Sequence, residues 1–109
     1  MVTMLQYKVV FTPAAISDMR DIYNYIAEES GYPDRALDYI NKLRAGCERM
    51  SIVPLRGQKR DDIRSNLRTT VLDKSAVAAF EVDEVNNILR ILGVYYGGRD
   101  YAAILQADD

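Results

Sequence analysis

The stretch Val53-Pro-Leu-Arg-Gly-Gln-Lys-Arg-Asp-Asp-Ile-Arg-Ser-Asn-Leu-Arg68 divides the chain into two unlike halves. Before it, one strand-like stretch is followed by two helical periodicities. After it come β-branched and apolar runs separated by polar turns. The stretch is thus a seam between a helical layer and a sheet. It is also a basic island in a chain of net charge -2: Arg56, Lys59, Arg60, Arg64 and Arg68 stand against Asp61 and Asp62.

Upstream of the seam, Tyr7–Phe11 is β-branched and aromatic and predicts a short strand. Thr12-Pro13 reads as a helix start, with Thr12 as N-cap and proline pre-set for the first turn. Ala15, Met19, Ile22 and Ile26 then step by helical intervals along one face, which Tyr23 widens. Gly31 predicts a left-handed cap, and Pro33 opens a second helix. In that helix Ala36, Ile40, Leu43, Cys47 and Met50 again form one face. Gly46 costs it roughly 1 kcal/mol relative to alanine, which close approach of the first helix would offset. Two helices of about 17 residues with so short a link run antiparallel. Their apolar stripes need a partner layer.

The sheet supplies that layer. Strands are predicted over Leu67–Leu72, Ser75–Val82 and Asn87–Tyr96, with turns at Asp73-Lys74 and Asp83–Asn86. The last strand is nearly apolar on both sides, as a central strand is. Gly97-Gly98 ends it, and Asp100–Leu105 fits a short helix with Asp100 as cap. Within the seam, Pro54 and Gly57 shape a turn, and Ile63 and Leu67 enter the core. The spacing of Asp61 and Arg64 suggests a surface ion pair. The fold class is therefore α+β: an N-terminal strand and an antiparallel α-hairpin packed on a mostly antiparallel β-sheet, ordered β-α-α-β-β-β-α, in one domain over 1–109.

Composition bounds the function. A chain of 109 residues, 49% hydrophobic and 28% charged, suits one soluble domain with one core. Its pI of about 5.1 carries no global nucleic-acid footprint. No apolar run reaches the roughly 20 residues of a membrane span, and no signal peptide is evident, so a cytoplasmic location is expected. With no histidine and one cysteine, a Cys/His zinc site and a Ser-His-Asp triad are ruled out. No metal or other cofactor is expected, and Cys47 reads as a buried, reduced thiol.

Several pieces then come together in order: Phe11-Thr-Pro-Ala-Ala15, with Asp18, Ile22 and Tyr25; Ala36 and Leu43; Pro54-Leu-Arg-Gly57; Ile63-Arg64 and Leu67-Arg68; Phe80 and Val82; and Gly97-Gly-Arg99-Asp100. In this pattern the chain resembles the ParE-type toxins of the RelE/ParE superfamily, the toxin halves of bacterial toxin–antitoxin pairs. It differs in the small residues of Ala76-Val-Ala-Ala-Phe80 and in having Tyr96 where a histidine is common.

The resemblance implies a cytoplasmic toxin that binds and poisons DNA gyrase and is neutralised by a ParD-like antitoxin. Its antitoxin, not the toxin, would carry any sequence-specific DNA contact. The alternatives are a RelE-like ribosome-dependent mRNA endonuclease and a toxin-fold subunit without toxicity. An endonuclease needs a base, a stabiliser of phosphorane charge and an acid. Without histidine these fall to Tyr95 or Tyr96, Glu81 and arginines 64, 68, 90 and 99, and an ordinary tyrosine titrates near 10. A non-enzymatic binder is therefore expected. Its implied target-binding residues are Lys59, Arg60, Arg64, Arg68, Arg90, Tyr96 and Arg99, with Tyr96 facing outward. An apolar helical face of Ile16, Tyr23, Leu37 and Tyr39 would meet the antitoxin.

Overall fold

The computed structural model describes residues 6–98 and Leu105. Strand β1 (Lys8–Phe11) leads into helix α1 (Pro13–Ser30) and helix α2 (Pro33–Glu48). A 3-10 turn at Arg49–Ser51 follows, then β2 (Gln58–Lys59), β3 (Arg68–Asp73), β4 (Ala76–Asp83) and β5 (Ile88–Tyr96). The strands form one mixed sheet in the order β1-β5-β4-β3-β2. β1 runs parallel to β5, and all other pairs are antiparallel. β5 is thus a central strand, as its two-sided apolar pattern implied. Arg99, Asp100 and the expected helix start there lie outside the described residues; Leu105 is helical and buried.

The helix caps follow the sequence. Thr12 Oγ1 accepts a hydrogen bond from the Ala15 N–H at 3.2 Å, and Gly31 closes α1 at φ 74° with its N–H on Ala27 O. α2 ends two residues before Met50, which stays buried in the 3-10 turn. The main core lies between hairpin and sheet. It joins Ala15, Met19 and Ile22 of α1 and Leu43 and Cys47 of α2 to Phe80, Leu89, Ile91 and Val94 of the strands. A smaller cluster of Leu67, Ala79, Tyr95 and Leu105 covers the far face, with Ile63 packed against it.

Four local expectations are corrected. The seam contains a strand, β2, because Gly57 delivers the chain onto β3. At Gly57, with φ 79°, an added Cβ would lie 2.4 Å from Thr69 O, so glycine alone fits. Gly46 is not a close approach of α1: its nearest neighbour is the Leu72 side chain of β3, at ordinary contact distance. Asp61 does not pair with Arg64; its Oδ1 accepts from the Asn66 N–H at 2.9 Å, in a turn where Asn66 has φ 66°. The β3–β4 turn also falls one residue later than expected, at Lys74-Ser75.

The feature that positions everything else is a bulge in β5. Ala79 pairs with Gly93 and Phe80 with Ile91, leaving Leu92 without a partner on β4. One extra residue reverses the alternation of side chains beyond it. Leu89 and Ile91 point to the helices before the bulge, and Val94 and Tyr96 after it. Gly93 makes room for the Tyr95 ring, whose Oη would lie 2.3 Å from a Cβ there. Helix α1 is fastened to this point. The Thr12 N–H donates to Ile91 O at 3.1 Å and the Thr12 hydroxyl to the same oxygen at 2.9 Å. The Val94 N–H donates to Asp18 Oδ2 at 3.1 Å.

Candidate interaction surfaces

The basic residues of the seam do not form one site. Lys59, Arg68 and Arg90 share an open hollow of about 450 Å³ where β4 continues past the end of β3. Glu81, Asp83 and Glu84 line the same hollow, so its field is mixed. Arg90 Nη1 donates to Glu81 Oε1 at 3.0 Å across the β4–β5 pair. Arg68 Nη1 donates to Leu55 O at 3.0 Å and so ties down the seam. Two of the three cations are therefore already engaged within the fold.

Arg60 and Arg64 stand apart from the hollow. Arg60 grips Asp62 through Nε and Nη2, both at 3.0 Å. This fork holds the Asp62 carboxyl below the usual range. Arg64 is half-buried in the turn and makes no ion pair among the described residues. Arg99 is not among the described residues.

Tyr96 is on the opposite face of the sheet from Arg90. The bulge places it on the helix side, half-buried, with its ring centroid 5.6 Å from Tyr39 and 6.1 Å from Tyr25. The resemblance implied an outward Tyr96; it is the less buried of the two tyrosines, but on the helix side of the sheet. Tyr95, by contrast, is buried on the far face. Six residues of strand, roughly 20 Å, separate Arg90 from Tyr96.

The helical patch is three-quarters assembled. Ile16, Tyr23 and Leu37 line one open groove of about 610 Å³ between the helices, above Phe11 of the edge strand β1. Ile16 is 47% and Leu37 50% exposed. Tyr39 is elsewhere. Leu37 and Tyr39 are two residues apart, which on a helix puts them about 160° apart around the axis. The Tyr39 hydroxyl instead donates to Asp73 Oδ1 at 3.2 Å, beneath the hairpin. Burial, then the Asp73 bond and charge, raise its pKa well above the ordinary value.

The groove also holds Ile40, from the apolar face of α2, and two residues that the sequence had not singled out, Arg20 and Arg44. The signal was available, since Ile16, Arg20 and Tyr23 step by four and three, and Leu37 and Arg44 lie seven apart. Arg44 sits 5.6 Å over the Phe11 ring and 3.4 Å from Glu48. The groove is thus an apolar floor with cationic margins, suited to an amphipathic segment with acidic flanks.

A family model for the ParE toxin of the type II toxin–antitoxin system, parDE, matches residues 9–101. The chain belongs to this ParE toxin family. It is therefore the toxin of a type II toxin–antitoxin pair by family membership. None of the curated proteins matches it. Among solved structures, its fold is similar to a chain of the chromosomal ParDE system of P. aeruginosa. That match has TM-score 0.72 and 22% identity, and covers 84% of this chain and 97% of the other. It is also similar to a chain of the RelBE2 toxin–antitoxin complex of Mycobacterium tuberculosis, with TM-score 0.59 and 19% identity over 89% and 98% of the two chains. At these identities the structural matches speak to the fold. The matched segment of this ParE-family chain spans both fastenings of α1 to β5, the groove and the hollow.

Proposed function

We propose that this toxin acts in the cytoplasm by binding DNA gyrase and blocking replication, rather than by cutting messenger RNA. The observation that carries the reading is the separation of Arg90 and Tyr96 by the β5 bulge. Cleavage at a 2′-hydroxyl needs a proton acceptor and a phosphorane stabiliser within a few ångströms of one phosphate. Here the tyrosine is on the helix side with other tyrosines, and on the other side Glu81, the remaining candidate acceptor, is engaged with Arg90 in an ion pair. Arg68 is likewise occupied with Leu55 O. Such cations are suited to complementary contact with a protein surface. Among the described residues of the expected target-binding set, Lys59 and Arg64 are the cations left to meet the target.

The antitoxin is proposed to be ParD-like and to lay an apolar segment in the groove of Ile16, Tyr23 and Leu37. Gyrase supercoiling with the purified chain tests the target, and antitoxin titration against groove variants tests the partner. Ribosome-dependent mRNA cleavage, with supercoiling unaffected, would overturn the gyrase reading.

A further inference from the structure

A second concave surface lies on the other flank of α1, away from the groove. It is an open hollow of about 330 Å³ lined by Asp21, Ile22, Tyr25, Tyr96 and Gly97. We infer that this hollow is a binding site for an arginine side chain presented by a partner protein.

Three features point to that occupant. First, the walls are aromatic. Tyr25 is 54% exposed, and its ring is tilted 59° to that of Tyr96, so the two do not stack and ring surface stays open. A cation over such surface is attracted by the ring quadrupole, and the planar, weakly hydrated guanidinium is suited best. Second, the hollow carries an anion. Asp21 lines the hollow, and among the described residues its exposed carboxylate makes no hydrogen bond or ion pair. Third, the wall is held in place. Asp73 anchors the Tyr39 hydroxyl, and the Tyr39 ring meets Tyr96 nearly edge-on at 70°. A pre-set aromatic wall loses little freedom on binding.

The charge of the site separates it from the inter-helix groove. The groove has Arg20 and Arg44 at its margins, whereas the hollow has Asp21 and hydroxyls. One flank of the hairpin therefore selects acidic segments and the other a basic side chain. This inference does not depend on the target being gyrase, and an inactive supercoiling assay leaves it unchanged.

The test uses the full purified chain with 13C-labelled tyrosine rings and two probes, N-acetyl-arginine amide and the isosteric, neutral N-acetyl-citrulline amide. The Tyr25 and Tyr96 ring signals are expected to move saturably with the arginine probe and not with the citrulline probe. Asp21→Asn should weaken that binding by about threefold, and Tyr25→Leu by about two- to fivefold. Both positions are at the surface, so the variants fold, and their unperturbed core signals confirm it. No ring shift, equal shifts with both probes, or arginine affinity unchanged in both variants overturns the proposal.

Discussion

The carboxylate of Asp18 in α1 accepts a hydrogen bond from the backbone N–H of Val94, 76 residues downstream in β5. β1 pairs with β5 only as far as Ile91. Beyond that point β4 still pairs one edge of β5, and on the edge that β1 has left the helix supplies the acceptor for Val94. The same stretch of β5 holds the bulge that sends Tyr96 to the helix side. Asp18 thus ties the helical layer to the point where the sheet changes its alternation.

This bond predicts a measurable stability cost. Asp18→Ala should lower unfolding free energy by about 1–3 kcal/mol, because a part-buried N–H loses its acceptor. Asp18→Asn keeps an acceptor oxygen and should lose less. Urea denaturation of the two variants checks the order. Equal losses would mean that the side chain's charge, and not the bond, matters.

Two glycines should respond in opposite directions. Gly46 is in the interior of α2 with space for a methyl group, so Gly46→Ala should stabilise by roughly 0.5–1 kcal/mol. At Gly57 the same change drives Cβ into Thr69 O at a positive φ, and should detach β2 from β3. Thermal melts of both variants decide this. A stabilising Gly57→Ala would contradict the assigned turn.

Alkaline pH should weaken the fold. Burial, with a smaller contribution from Glu48, pushes the Cys47 thiol up to about 12. Tyr39 is also raised, by burial and by Asp73. The folded state therefore keeps protons that the unfolded chain releases from about pH 9 upward. More protons on the native state make stability fall as pH rises. The contribution of Cys47 is whole below pH 9 and gone above about 12. Urea midpoints should drop between pH 8 and pH 10.5, and drop less in Cys47→Ala. A midpoint that does not move over this range would show that these groups are not protected.

The groove should be separable from Tyr39, which lies outside it. Ile16→Glu and Leu37→Glu should weaken antitoxin binding by about tenfold or more, as loss of apolar anchors does, with little change in toxin stability. Tyr39→Phe should leave that affinity intact while losing the Asp73 bond. Calorimetric titration of the three variants reads the difference. Unchanged affinity in both glutamate variants would place the antitoxin elsewhere.

Much of the architecture was legible in local signals. Thr12-Pro13, Gly31 and the two apolar stripes located the helices, and the nearly apolar run of β5, interrupted by Arg90, marked it as central. The bulge was not legible. Nothing in Ile91-Leu-Gly-Val-Tyr-Tyr96 reveals that Leu92 goes unpaired, because this depends on how Ala79 and Phe80 meet β5. That one residue puts Tyr96 on the helix side. Tyr39 was misplaced for a simpler reason, since grouping it with Leu37 ignored the helical rotation between them. The cations were visible, and the Arg60–Asp62 fork is local, but the engagement of Arg68 with Leu55 O and of Arg90 with Glu81 depends on the folded chain.

The central claim is that this toxin stops replication through gyrase while Arg90 and Tyr96 do no joint chemistry. Its most direct test is a supercoiling assay with purified gyrase and the purified chain, run beside a translating-ribosome cleavage assay. The account predicts inhibited supercoiling with accumulating broken DNA, and intact messenger RNA. Undisturbed supercoiling together with cut messenger RNA would contradict it.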